Sequence, residues 1–432
     1  MKNKTESMMT LDFPLSPRIM AERMQEAWRT SWRLFFLPRT SLFYDYITGY
    51  EADTAFAFAP TPDEIQRSLP NPCGWGTGME DSAIHAGVMM AMVCDRFDIT
   101  GEPELADCAR KIFVGMVNLG GVHGVPGFIA RSICPSDGCS VYPESSRDQY
   151  THVVHGVWRY YHSPLSGERE REVCRRLIRE IGEYARRCAT PECEYLLLRC
   201  NNEKSSGISC KLLNVAAHEA ARLPMFYAAA WDLTGDERWR DECLKYLDNA
   251  LLESTRIGEK LEFYPAYSLM QVQCSMEVLR QVFHDHAGVQ AACRKTMCRT
   301  AEVAEFNARH ALHGDALPDG SSLCGDWRSF AVIRGGNHGY AVPQPPEEWR
   351  VAFWRIRESG EAAVAQLMAS PVRRISALQL NLLQYALCRH DFKRIANSGF
   401  FYLQRAYWLA VRFGYITPVP DFLPRRETTA CS

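Results

Sequence analysis

Apolar residues recur at helical spacing along most of the chain, and strand-like alternation is scarce. The clearest stretch is RIMAERMQEAWRTSWRLFFL, residues 18–37, an amphipathic helix that ends before Pro38. Further helices are predicted at about 81–98, 103–118, 148–162, 168–188, 211–234, 237–253, 268–286, 288–312, 348–358, 361–370, 373–390 and 400–414. One junction repeats. ITGEPELADC at Ile99–Cys108 and LTGDERWRDEC at Leu233–Cys243 each end a helix at Thr-Gly and begin another after an acidic residue. Glycine suits the left-handed position that closes a helix. Looser versions surround Gly167, Gly288 and Gly360. A helical hairpin that recurs in this way predicts an all-α repeat architecture of about six hairpins.

The connections alternate in length. Short turns join the two helices of a hairpin, and long return loops lie near 38–80, 119–147, 189–210, 255–267 and 313–347. These loops are rich in Trp, Tyr, Cys and Gly, a composition that argues for function and against disorder. If the hairpins close into a ring, the long loops emerge together at one end. Gly101, Gly167 and Gly235 then mark the other end, and the site belongs with the loops. No Pro/Ser-rich linker divides the composition, which implies one domain over 1–432 with irregular tails at 1–17 and 416–432.

Composition narrows the function classes. Hydrophobic residues at 47%, charged residues at 23% and a net charge of −2 describe an ordinary globular chain. Such a charge gives no global field to recruit nucleic acid or a membrane surface. The 17 cysteines are scattered and free of C-x-x-C pairs, so few or none are expected to be cross-linked. The segment after Lys2 and Lys4 has no continuous apolar run, and the expectation is a cytoplasmic protein. Phosphate-binding, dinucleotide-binding, serine-hydrolase and zinc-protease motifs are missing, and no cofactor or metal is expected.

Candidate chemistry concentrates in VYPESSRDQYTHVVHGVWRYY, residues 141–161. Ser145 or Ser146 suits the N-cap of the helix, placing Arg147, Asp148 and Gln149 in its first turn. Tyr150, His152 and His155 follow within the same helix. Asp148 reads either as a favourable first-turn charge or as a catalytic acid, and a proton on it would require burial or a second carboxylate nearby. GWGTGMEDSAIHAG, Gly74–Gly87, is the second such stretch. Its glycines allow close backbone approach, Glu80 and Asp81 open a helix, and Trp75 could stack on a sugar ring or fill the core.

The other return loops repeat the theme with Arg131, His218, Tyr264, Trp327, Arg334, Asn337 and His338. His218 and Glu219 are expected on the helix of 211–234. His85, His152 and His155 read as core histidines more readily than as metal ligands. Arg131, Arg147 and Arg334 on loops of one end suggest a carboxylate or sulfate on the substrate, because guanidinium pairs bidentately with such groups.

Helical hairpins joined by T-G-[DE] turns, with acidic residues at inner-helix starts, resemble the six-hairpin (α/α)6 glycosidases. That group includes the unsaturated glucuronyl and rhamnogalacturonyl hydrolases and some β-glucuronidases. The resemblance covers about residues 18–415, as architecture. It implies a catalytic aspartate at the start of an inner helix, in a D-x-x-x-M context. Asp148 in RDQYTHVV occupies that position without the methionine. The expectation is a glycoside hydrolase for a uronic-acid-containing glycan, with Asp148 as general acid and Asp81 or Glu80 as second carboxylate. Trp75, Tyr264 and Trp327 would stack; Arg131, Arg147 and Arg334 would bind the anionic group. Gln149, Tyr150, His152, His218, Asn337 and His338 would complete the sugar contacts. The alternatives are a polysaccharide lyase, a sugar epimerase and a non-catalytic glycan-binding protein.

Overall fold

The computed structural model describes residues 16–205, 207–259, 264–311, 317–334 and 339–419. Its long helices are α1 (Pro17–Thr30), α2 (Ser82–Thr100), α3 (Leu105–Gly121), α4 (Arg147–His162), α5 (Glu168–Cys188) and α6 (Arg222–Thr234). They continue as α7 (Glu237–Ser254), α8 (Ala266–Val282), α9 (Ala287–Ala311), α10 (Glu347–Met368), α11 (Ala377–Arg389) and α12 (Phe400–Arg412). The tails expected at 1–17 and 416–432 fall mostly outside the described residues.

Composition sorts these helices into two layers. Every residue of α2 from Ser82 to Arg96 is buried, as suits a helix that is apolar on all sides. In α5, by contrast, a stripe including Cys174, Leu177, Ile178, Ile181 and Ala185 is buried, and much of the remaining surface is charged. The even-numbered helices α2, α4, α6, α8, α10 and α12 pack each on the next, and α12 returns to α2. The odd-numbered helices α3, α5, α7, α9 and α11 lie outside them, and α1 packs on α11 and α12. The fold is an all-α (α/α)6 toroid. Its sixth hairpin joins the two ends of the fold: Gln404 Nε2 donates to Ser31 Oγ at 2.9 Å, and Phe35 packs on Phe400.

The inner helices run parallel. At their starts Asp81 meets Gln149, and toward their ends Asp95 meets Arg159 and Arg412. Gly101 and Gly235 close α2 and α6 in the left-handed conformation, with φ of 65° and 66°. They lie at the end opposite Asp81 and Asp148, as the turn pattern predicts. Gly87 brings α2 against α4: an added Cβ would strike the His152 carbonyl, and Gly156 sits directly beside it. Gly87→Ala should therefore lower stability by roughly 1–3 kcal/mol, the usual cost of overpacking. A urea midpoint equal to that of the wild type would refute this.

Several elements depart from the sequence pattern. The first helix loosens into a wider turn at Ser31–Phe35, where Ser31 Oγ donates back to the Ala27 carbonyl at 2.9 Å. Phe36–Leu37 then pairs with Leu42–Phe43 as strands β1 and β2. A second antiparallel pair, β3 (Ala331–Arg334) and β4 (Ala341–Gln344), also falls where no strand is predicted. Gly360 is not a turn: it lies inside α10, where the lack of a side chain admits Tyr402 and Leu403. The helix expected from 211 starts at Arg222, because Asn214 turns the chain with φ of 55° and Glu219 folds back to accept the Ala216 N–H. His218 and Glu219 therefore sit on a loop. Among the described residues no cysteine is cross-linked, and no helix is long and apolar enough to cross a membrane.

Candidate active site

The mouth formed by the inner-helix N-termini begins with the glycine loop. Gly76 adopts φ of 87°, and a Cβ there would lie 2.7 Å from the Pro343 carbonyl oxygen. This bend aims the Gly76 N–H at Glu80 Oε1. Beneath it, Asp45 Oδ2 accepts the N–H groups of Glu80 at 2.7 Å and Asp81 at 3.2 Å. Asp81 occupies the N-cap position of α2, yet its side chain does not cap. Its Oδ1 accepts from Arg131 Nη2 at 3.2 Å and from Gln149 Nε2 at 3.0 Å. Its Oδ2 accepts from Arg357 Nη1 at 2.8 Å, and Arg357 Nε also donates to Glu361 at 2.6 Å.

Asp45, Glu80, Asp81 and Arg357 line a cavity of about 170 Å³. Trp349, Phe353 and Trp354 join the lining from α10; Arg357 lies over the rings of Phe353 at 5.8 Å and Trp354 at 5.5 Å, and Trp354 is 46% exposed. Burial, reinforced by the Asp81 charge, pushes the Glu80 carboxyl up to about 7. Burial and the charges of Asp81 and Glu80 push Asp45 well above the ordinary carboxylate range. Burial acts on Asp81 too, but Arg357 and Arg131 outweigh it and hold Asp81 well below that range. Glu361 rises to about 7 through burial, despite its contact with Arg357. Burial thus favours the protonated form of Asp45 and Glu80, while the arginines favour the ionised form of Asp81 beside them.

Asp148 is not among the residues that line this cavity; it opens the adjacent inner helix. It lies in the first turn of α4, with its side chain 24% exposed, and pairs with the buried Arg222. Arg222 Nη2 also donates to Gln271 Oε1 at 2.6 Å. Arg147 pairs with Glu219. Burial lowers His218 to about 4 against the opposing pull of Glu219, and its ring stands edge-on to Tyr264 at 5.4 Å. Tyr267 lies near both Asp148 and Arg357. Burial and then Asp148 raise its hydroxyl pKa, and Arg357 lies 5.8 Å from its ring.

The structure gathers Glu80, Asp81, Arg131, Arg147, Asp148, Gln149 and His218 at this mouth, with Tyr264 packed behind His218. Other expected contacts lie elsewhere or are occupied. Trp75 has Arg131 over its ring at 5.5 Å and Tyr340 beside it at 5.8 Å. Tyr150 is buried in the core, where its hydroxyl accepts the Ile129 N–H at 3.1 Å. His152 is buried without a hydrogen-bond partner among the described residues, and burial followed by Arg405 disfavours its charged form. His155 is tied to Glu277 at 2.8 Å. Trp327 is buried with Arg328 over its ring. Arg334 is exposed on β3 and is not part of the cavity lining. Asn337 and His338 lie outside the described residues.

Sequence reasoning missed Asp45, Trp349, Phe353, Trp354 and Arg357. A signal existed on α10, where Trp349, Phe353 and Arg357 recur every fourth residue and so share one face. Among the described residues no three His, Cys, Asp or Glu side chains converge in a metal-binding arrangement.

No family model matches the chain, and no curated protein matches it. Solved structures of similar architecture include a cellobiose 2-epimerase from Spirochaeta thermophila. It is 12% identical, with 93% of this chain and 99% of that chain covered and a TM-score of 0.47. A D-mannose isomerase is 9% identical over 94% of this chain and 100% of that chain, with a TM-score of 0.46. A glycoside hydrolase family 76 mannosidase from Bacteroides thetaiotaomicron is 12% identical over 82% of this chain and 98% of that chain, with a TM-score of 0.41. Likeness at this level selects no reaction, and the resemblance to the glucuronyl and rhamnogalacturonyl hydrolases remains one of architecture.

Proposed function

We propose that the protein is a glycoside hydrolase whose scissile bond lies over Glu80. The observation that carries this reading is the cavity itself, whose lining brings Glu80 and Asp81 together with Trp349, Phe353 and the exposed Trp354. An aromatic face suits the C–H side of a sugar ring. A protonated Glu80 supplies the proton that the departing glycosidic oxygen takes up. Asp148, paired with Arg222, supplies the second carboxylate, acting on water or directly on the anomeric carbon. Asp81 is a positioning residue: three donors occupy its two oxygens, and through them it orders Arg131, Gln149 and Arg357. The proton role moves from Asp148 to Glu80 because Glu80 lines the cavity and burial raises its carboxyl to about 7, within reach of a proton near neutrality.

The test is a panel of aryl glycosides and natural oligosaccharides in ¹⁸O-water. Leaving-group release with one ¹⁸O in the sugar product is expected. A sugar epimerase or isomerase is the second reading, favoured by His218, whose neutral imidazole at the mouth could serve as a base. That chemistry would exchange a carbon-bound hydrogen of the sugar with deuterated solvent and release no leaving group. Such a result would replace the hydrolase reading. A lyase would instead produce new ultraviolet absorbance, and a glycan-binding protein would bind without turnover. The lyase draws less support, because Arg131, Arg147, Arg222 and Arg357 already pair with the protein's own carboxylates.

A further inference from the structure

Those four guanidiniums are engaged within the protein: Arg131 and Arg357 on Asp81, Arg147 on Glu219, and Arg222 on Asp148. Arg350 differs from them. It lines the same cavity, and its partner among the described residues is the neutral amide oxygen of Gln344, at 2.8 Å from Nη1. Arg350 lies in the first turn of α10 and is half-buried, whereas Arg357 is buried two turns further along. Seven helical residues rise about 10 Å, so α10 spans the cavity from rim to floor. Trp354 stands between the two arginines, one turn beyond Arg350 and on the same side of the helix; Arg357 lies over its ring at 5.5 Å, and Trp354 is 46% exposed.

We propose that the cavity rim reads an anionic group, carboxylate or sulfate, on the sugar that lies against Trp354, with Arg350 as the specificity-determining residue. The inference rests on the carbohydrate reading of the cavity and adds the charge and orientation of the substrate. A guanidinium fork with free donors matches either anion bidentately. The floor offers the opposite environment. Asp45, Glu80 and Asp81 crowd there, and burial with mutual repulsion already raises the first two. An anion at the floor would meet Asp81 as a like charge; at the rim it meets Arg350. The substrate therefore enters with its acidic group outward and its glycosidic oxygen toward Glu80. This assigns to Arg350 the role that sequence alone gave to Arg131, Arg147 and Arg334.

The experiment compares three probes that differ only at C6: a methyl glucoside, its glucuronide and its 6-sulfate. Binding is measured by calorimetry, and hydrolysis is followed with the corresponding p-nitrophenyl glycosides. At least one anionic probe should bind about tenfold or more tighter than the neutral one, as a charge-assisted bidentate contact provides. That preference should shrink with added salt. Arg350→Gln should bring the anionic-to-neutral ratio close to one, and Arg350→Lys should retain part of it. The glucuronide and sulfate arms identify which anion is read. Equal or tighter binding of the neutral probe by the wild type, or an unchanged ratio in Arg350→Gln, overturns the inference. Selective anion binding without hydrolysis would uphold the inference and overturn the hydrolase reading. Hydrolysis with no anion preference would do the reverse.

Discussion

Glu80→Gln is expected to lower kcat on natural oligosaccharides by roughly a hundredfold to ten-thousandfold, the range for losing a general acid. The size of the loss should depend on the leaving group. A nitrophenolate needs little protonation, so aryl glycosides should lose far less than natural linkages. The pH profile supplies a second readout. A general acid works while protonated, and burial beside Asp81 holds Glu80 near 7. Wild-type activity should therefore fall as pH rises through about 7, and Glu80→Gln should lack that limb. A variant with near-wild-type kcat on an unactivated substrate would remove Glu80 from the mechanism.

Asp148→Asn should lose a similar hundredfold to ten-thousandfold, without relief from an activated leaving group, because the missing function is the base or nucleophile. The amide oxygen can still accept from Arg222, and Gln271 remains its second partner. The fold should then survive. Asp148→Ala separates structure from catalysis: it leaves the buried guanidinium without its carboxylate and should cost about 3–5 kcal/mol. If Asp148→Asn turns over natural substrate at the wild-type rate, Asp148 serves only to seat Arg222. Activity of both variants on both substrate types distinguishes the acid from its partner.

The ring was legible because its determinants are local. Thr-Gly turns at Gly101 and Gly235 punctuate helices whose apolar pattern marks inner and outer layers. Asp81, Asp148, Gln149 and Arg131 were also legible, since each opens an inner helix or precedes one. The remainder of the site depends on partners far apart in sequence. Asp45 is set by its contact with the Glu80 and Asp81 amides, and Arg357 by its reach of 276 residues to Asp81. Arginines lie over the rings of Trp75, Trp327 and Trp354 alike. What sets Trp354 apart is its exposure, 46%, in the cavity lining, and only the packing of α10 shows it. Gly360 misled for a related reason: a glycine that permits a helix–helix approach has the same letter as one that ends a helix.

Closure of the ring has a kinetic consequence. The first long helix completes its hairpin with the last, through contacts such as Ser31 to Gln404, separated by 373 residues. Joining such distant segments carries a loop-closure entropy that grows slowly with length, but the contact forms only after both have been made. On the ribosome the earlier hairpins can assemble one after another while α1 waits for α12. Until residue 412 has emerged, the flank of α2 that α12 covers stays open, including His85, against which Phe401 packs. Nascent chains of this protein should therefore carry an exposed apolar seam for most of their synthesis, a natural binding site for chaperones.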